Sequence, residues 1–181
     1  MQNQIQFQAL QANHDTEGFT CGVDALDQWL RRIARQHISK GVSRTFVAID
    51  PAKSTTPTTP AQIIGYYSLT VAEIDTDKLP KDIARKLPRR VPLVLIGRLA
   101  TALAARGQGI GALLLIDALK RIIRVANDVG VTLVLVDAKD DPAASFYQHF
   151  GFVPLPDNPL RLALPVDTAK RAIAPPLTAQ P

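Results

Sequence analysis

The chain has 181 residues, 46% hydrophobic and 20% charged, enough for one domain with appendages and a real core, which excludes two full enzymatic domains and a disordered chain. No apolar run reaches the roughly 18 residues of a membrane span, the longest candidates being Val91 to Leu99 and Val131 to Val136; no signal-peptide pattern opens the chain, and the only cysteine is Cys21, so no internal disulfide forms and a reducing cytoplasm is expected. The net charge is +5, yet Lys81 to Arg124 holds ten basic residues against two acidic ones, a net of +8 that leaves −3 elsewhere; such a segment suits an anionic partner, or is a solvated face with none.

In chain order, Ile5 to Leu10 alternates apolar and polar residues and reads as a strand. Val23 to Ile38 carries a helical stripe through Val23, Leu26, Leu30, Ile33, Ala34 and Ile38, beside Trp29. Thr45 to Ile49 is a short strand, Pro51 to Pro60 a connection rich in Pro and Thr, and Ile63 to Val71 a further strand. Asp77 to Leu87 predicts a short basic helix between Pro80 and Pro88, and Pro92 delays the next strand to Leu93–Leu99. A turn at Arg106–Gly111, a helix over Ile110–Asn127 and a strand over Thr132–Val136 then complete one βαβ unit, whose crossover is expected to be right-handed. Pro142 opens a helix that Gly151 closes, Phe152–Leu155 and Leu160–Leu164 are terminal strands, and a loose tail is expected from Pro165. The predicted organisation is a domain over residues 1–164 and a tail over 165–181.

The sharpest local feature is Arg106-Gly107-Gln108-Gly109-Ile110-Gly111, between a strand and a long helix. Glycines admit close backbone approach, and the free amides of a helix N-terminus form an anion site that fits a pyrophosphate. A P-loop is excluded, since Gly-Lys-Ser/Thr is absent. Gly107, Gly109 and Ala112, with Asp137 further on, satisfy a loose dinucleotide fingerprint. Against it stand the single βαβ unit, the late position of the turn and the meander-like first half.

Arg106-x-x-Gly109-x-Gly111 resembles the Arg/Gln-x-x-Gly-x-Gly/Ala signature of the GNAT superfamily of N-acetyltransferases, and Phe146-Tyr147-x-x-Phe150-Gly151-Phe152 resembles its second recurring segment. Within that superfamily the chain resembles toxins of bacterial toxin-antitoxin pairs, through Phe19-x-Cys21-Gly22, Leu26-Asp27-x-Trp29-Leu30, Ser43-Arg44-Thr45-Phe46-Val47, Gly65-Tyr66-Tyr67-Ser68-Leu69, Leu87-Pro88-Arg89 and Ile96-Gly97-Arg98-Leu99-Ala100. The resemblance implies an α/β fold with a mixed, splayed sheet flanked by helices. It implies acetyl-CoA as cosubstrate, without a metal, its pantetheine paired with backbone at Leu99, Ala100 and Thr101. The pyrophosphate would rest on Arg106, Gly107, Gln108, Gly109, Ile110, Gly111 and Ala112. It further implies acetylation of the α-amine of aminoacyl-tRNA, which blocks translation, and restraint by an antitoxin of ribbon-helix-helix type. Whether the chain forms a homodimer stays open.

The chemistry calls for a proton donor to the departing thiolate. Tyr147 suits it, because a phenol with a reference pKa of about 10 keeps its proton at neutral pH. No general base stands out, His14, His37 and His149 being scattered; an α-amine next to an ester has a low enough pKa to react without one, unlike a lysine amine near 10.4. Lys81, Arg85, Lys86, Arg89 and Arg90 would hold tRNA phosphates, with Arg98 facing either the cleft or the sheet. Tyr66, Tyr67 and Trp29 offer stacking surfaces, although such aromatics are usually core. Cys21 reads as structural. The alternatives are acetylation of a protein or small-molecule amine, and a nucleic-acid-binding module that grips phosphate with its glycine turn.

Overall fold

The computed structural model describes residues 5–53 and 59–174. In chain order the elements are β1 (Gln6–Ala9), β2 (His14–Asp15), α1 (Asp24–Arg32), α2 (Ala34–Ser39), β3 (Arg44–Ile49), β4 (Ala61–Asp75), α3 (Lys81–Ala84), β5 (Arg90–Thr101), α4 (Ile110–Ala126), β6 (Leu133–Asp137), α5 (Asp141–His149), β7 (Val153–Leu155), β8 (Asn158–Pro165) and α6 (Val166–Ile173). Two compact units form, one from residues up to Thr70 with Ile96–Ala118, the other from Val71–Leu95 with Leu119 onward.

In the first unit β1 and β3 pair antiparallel, Gln6 opposite Ile49, and β3 and β4 pair antiparallel, Arg44 opposite Leu69. β2 adds to β4 in parallel, so the sheet is mixed. Alternation in β3 turns Val47 and Ile49 toward α1, where they join Trp29, Leu30, Ile63 and Tyr66 in a buried cluster. Helix α1 has Asp24 and Asp27 in its first turn and Arg31 and Arg32 in its last, charges that its dipole favours. The stripe expected as one helix over Val23–Ile38 is two: α1 ends and α2 begins at β-branched Ile33, whose φ of −110° departs from the ideal helical value although it stays in the αR region and its amide still donates to Trp29 O at 2.9 Å. Of the predicted connection, Pro51–Lys53 forms a 3-10 turn and residues 54–58 lie outside the described residues.

In the second unit the strand order is β5-β6-β8-β7, with β6 and β7 both antiparallel to β8. Leu93, Leu133, Leu135, Leu155 and Ala163 build its core, joined by Ile83 and Ala84 of α3. The basic helix is shorter than predicted. Thr76–Lys78 is a 3-10 turn, and Leu79, held extended ahead of Pro80 (φ −89°, ψ 156°), separates it from the α-helix that starts at Lys81. Pro92 does not delay β5, which starts at Arg90; the carbonyl of Pro92 accepts from the Thr132 amide and hydroxyl at 3.2 and 3.1 Å, so the proline sits in the strand at little cost. The loose tail expected from Pro165 also needs correction: Val166–Ile173 is helical, because Val166 and Ala169 bury one face and leave 3% and 1% of their surfaces exposed. Residues 175–181 lie outside the described residues.

One buried titratable group gives the first unit a pH response. His14 is 2% exposed. Its Nδ1 accepts from the Gln11 amide at 2.9 Å and its Nε2 lies 3.1 Å from Gln8 Oε1, a pair of bonds that requires a neutral ring with its proton on Nε2. Burial, assisted by the charge of Arg35, lowers its pKa below the ordinary 6.5. The unfolded chain therefore takes up this proton first, and the contribution of His14 is complete above pH 6.5 and lost as pH falls through the lower folded value. Denaturant midpoints taken between pH 7.5 and 5 are expected to fall, and to fall less in His14→Gln.

Candidate active site

The glycine turn begins where β5 ends. The Ala102 amide donates to Ile64 O at 2.9 Å, a 3-10 turn follows at Leu103–Ala105, and the bond from Leu113 N to Gly109 O at 3.2 Å opens the ladder of α4. By helix geometry the amides of the preceding turn, through Ala112, have no acceptor within the helix. Gly107 and Gly109 have φ of +73° and +75°, and a Cβ at either would meet nothing within 4 Å. The turn thus has an open face, a left-handed backbone that suits glycine, and behind it the N-terminus of a 17-residue helix. These features fit an anion of pyrophosphate size. Leu99 and Thr101 on β5 are half-buried and Ala100 is buried. Among the described residues no group of three or more His, Cys, Asp or Glu is placed to hold a metal.

What fixes the turn lies far away in sequence. The Leu103 amide donates to Thr20 O at 2.9 Å, and the Arg106 guanidinium donates to Cys21 O at 2.6 Å, 85 positions earlier. Arg106, expected beside the cofactor, is thus an anchor for the turn. Gly22, with φ +81°, sits between these partners; a Cβ there would stand 3.1 Å from Leu103 Cδ2 and 3.3 Å from an Arg106 nitrogen. The loop is held in turn by Asp27, 6% exposed, whose carboxylate accepts from Cys21 N and Thr20 Oγ1, both at 2.9 Å. Burial alone would raise the Asp27 pKa; the hydrogen bonds from Cys21 and Thr20 outweigh it and hold the carboxyl below its ordinary value. Sequence reasoning missed this clamp, because an aspartate in the first turn of a helix reads simply as a partner of the dipole.

Gly65 was missed as well. A Cβ on it would lie 2.7 Å from Leu114 Cδ1 and 3.1 Å from Ala100 O, so the bare backbone of β4 is what lets the start of α4 approach. Gly65→Val is expected to destabilise the protein by about 1–3 kcal/mol, the usual range for overpacking, in equilibrium denaturation. Gly65→Ala should cost less, because the Leu114 methyl can rotate away.

Tyr147 belongs to the second unit, on α5. Asp140 caps this helix, accepting from Ala143 N at 2.9 Å, and Pro142 occupies its first turn. Gly151, with φ +92°, closes it, and the Phe152 amide returns to Tyr147 O at 3.2 Å. Tyr147 is 7% exposed and meets Phe146 and Phe152 edge-on, at 5.2 and 5.7 Å between ring centroids. Its hydroxyl has no hydrogen-bond partner among the described residues. Burial, followed by the negative charge of Asp137, pushes the phenol up to about 12. Asp137 itself is held by Arg161 through two bonds of 2.6 and 2.9 Å, and so is engaged in an ion pair rather than presented to a ribose.

The basic residues divide. Lys81, Arg85, Lys86 and Arg89 are exposed around α3, where Arg85 makes a 3.5 Å pair with Asp82 that is too solvated to hold either side chain firmly. Arg90 is drawn to Glu73 and Asp75 at 3.8 and 3.3 Å. Arg98 belongs to the first unit, its guanidinium 4.3 Å from the centre of the Trp29 ring. Burial lowers the pKa of Arg98 from the ordinary arginine value. Trp29, Tyr66 and Tyr67 are 4%, 0% and 0% exposed. Trp29 stacks on Tyr66, and Tyr66 donates to Leu26 O at 2.8 Å, so these aromatics are core and not a platform for bases.

Residues 42–154 match the acetyltransferase (GNAT) domain family. The chain belongs to this family. Its mixed α/β architecture is the GNAT fold, as the resemblance at Arg106–Gly111 implied. A "tRNA-acetylating toxin" of Mycobacterium tuberculosis is 33% identical over 159 residues, which cover 88% of this chain and 90% of that protein. A solved structure of AtaT complexed with acetyl-methionyl-tRNAfMet is 27% identical and covers 94% of this chain and all (100%) of its own, with a TM-score of 0.84. A mutant AtaT toxin bound to acetyl-CoA and to the C-terminus of the antitoxin AtaR is 27% identical, covers 94% of this chain and 99% of its own, and has a TM-score of 0.78.

Proposed function

We propose that this GNAT protein is the toxin of a toxin-antitoxin pair and transfers acetyl from acetyl-CoA to the α-amine of aminoacyl-tRNA, which stops translation. The observation that carries this reading is the extent of the likeness: identity to a tRNA-acetylating toxin runs over 88% of the chain, well beyond the acetyltransferase segment at residues 42–154. In this reading the amides from Gly107 to Ala112 hold the pyrophosphate and the backbone of Leu99–Thr101 aligns the pantetheine. Tyr147 gives its phenolic proton to the sulfur as the N–C bond forms and the C–S bond breaks. The proton released by the nitrogen returns to the phenolate through water. No base is needed, since an α-amine of reference pKa about 7.7 to 8.0, lowered by the neighbouring ester, is largely neutral at cellular pH.

Lys81, Arg85, Lys86 and Arg89 hold the phosphates of the tRNA, and an antitoxin of ribbon-helix-helix type restrains the toxin in the cytoplasm, where its substrate is. The test is incubation with labelled acetyl-CoA and charged tRNA, with deacylated tRNA and a lysine peptide as parallel acceptors. Label is expected on charged tRNA alone; label on the peptide alone would overturn the substrate. Binding of tRNA should weaken steeply with salt, and Lys86→Ala and Arg89→Ala should each reduce the slope of log affinity against log salt by about 1.

A further inference from the structure

A cavity of about 570 Å³ opens within the second unit, a size typical of sites for small organic groups. Its floor is Leu93, Leu95, Leu135 and Leu155, the first, third and fourth of which are 0%, 4% and 5% exposed. Its charged residues largely neutralise one another or a neighbour: Arg90 pairs with Glu73 and Asp75 at 3.8 and 3.3 Å, and Arg161 is held by Asp137. Lys78 and Asp157, both exposed, are the lining charges with no ion pair among the described residues. The cavity wall is tied to the strand that leads to Tyr147: lining residue Arg161 bonds Asp137 at 2.6 and 2.9 Å, and Asp137 ends β6, which carries Leu135 and runs on into α5 with Tyr147.

An aminoacyl acceptor brings an amine, an ester and a side chain to be sorted. A carboxylate or ammonium lowered among four leucines loses its water; Arg90 and Arg161 are already paired, and Lys78 and Asp157, the lining charges without an ion pair among the described residues, are exposed and keep their own water, so neither offsets that loss. An aliphatic chain instead removes apolar surface from water on both sides. We propose that this cavity receives the side chain of the aminoacyl group and selects aliphatic and thioether side chains over small and charged ones. The inference rests on the reading of aminoacyl-tRNA as acceptor.

The experiment uses one tRNA body misacylated with leucine, methionine, glycine, aspartate or lysine, so that only the side chain changes, and compares kcat/KM for acetyl transfer. Leucyl and methionyl forms are expected to exceed glycyl by about 100-fold, given that one methylene in an apolar pocket discriminates by roughly 10-fold or more. Aspartyl and lysyl forms should be poorer still. Leu95→Phe, which fills the cavity from a half-buried position, should shrink the leucyl-to-glycyl ratio below about tenfold while acetyl-CoA affinity holds; Leu95→Ala should move the optimum to a larger side chain such as phenylalanine. Equal rates for glycyl and leucyl forms, a preference for a charged side chain, or a ratio that neither variant moves would overturn the cavity assignment and leave tRNA acetylation standing. Absence of transfer to every charged tRNA would overturn both.

Discussion

Tyr147→Phe is expected to lower acetyl transfer to charged tRNA by about 100- to 1,000-fold, as for a lost general acid, and to leave acetyl-CoA affinity within about twofold. The ring of Tyr147 packs edge-on against Phe146 and Phe152, contacts that phenylalanine retains, and among the described residues the hydroxyl has no partner to lose. The fold is therefore expected to be indifferent to the change. In the proposed mechanism, what disappears is the proton for the departing sulfur. Single-turnover rates set beside acetyl-CoA titrations separate the two effects, and equal loss of binding and rate would assign the hydroxyl to binding instead. The pH profile gives a second check. With the phenol pushed up to about 12, Tyr147 stays protonated across the workable range. The rate should rise with pH as the acceptor amine loses its proton, then level without an alkaline fall below about pH 11, one unit under that pKa.

Asp27→Ala is expected to have the largest effect on stability, about 3 kcal/mol by denaturant unfolding, because it leaves the buried Cys21 amide unsatisfied and removes a charge-assisted bond from the hydroxyl of Thr20, an exposed residue. The amide of Cys21 and the hydroxyl of Thr20 lose their acceptor at 2.9 Å, and the carbonyls of these same two residues hold Leu103 and Arg106. Acetyl-CoA affinity should therefore drop with stability, and Asp27→Asn, which keeps one acceptor oxygen, should recover part of each. The sign of the pH dependence follows from a carboxyl held below its ordinary value of 3.8. The contribution of Asp27 is complete above that value and lost as pH falls through the lower folded one. An Asp27→Ala protein as stable as the parent at pH 7 would remove the clamp from the account.

What was legible in the sequence was local chemistry. Gly107 and Gly109 announce a left-handed turn and Asp140, Pro142 and Gly151 bracket α5, since each acts on a backbone a few residues away. The break at Ile33 and the full 15-residue length of β4 were not legible, because apolar periodicity continues through both. Helix α6 was hidden by prolines around a buried face as small as Val166 and Ala169. The clamp from Thr20 and Cys21 to Leu103 and Arg106 joins distant stretches through backbone carbonyls, which every residue carries and no pattern reveals. Arg98 and Arg90 looked like hands for phosphate, yet each has a neighbour in the fold: a tryptophan face for one, two carboxylates for the other.

Cys21 is the only thiol in the chain, and it is shut inside the loop that Asp27 holds, 3% exposed. Burial pushes its pKa up, so it stays un-ionised and unreactive while the loop is closed. The native protein should thus continue to work in a cell under oxidative stress, with no thiolate for a peroxide to attack. The same seclusion makes the sulfur a clock for local opening. Its rate of capture by a thiol reagent measures how often the segment beneath the glycine turn lets go, without any label placed on the protein.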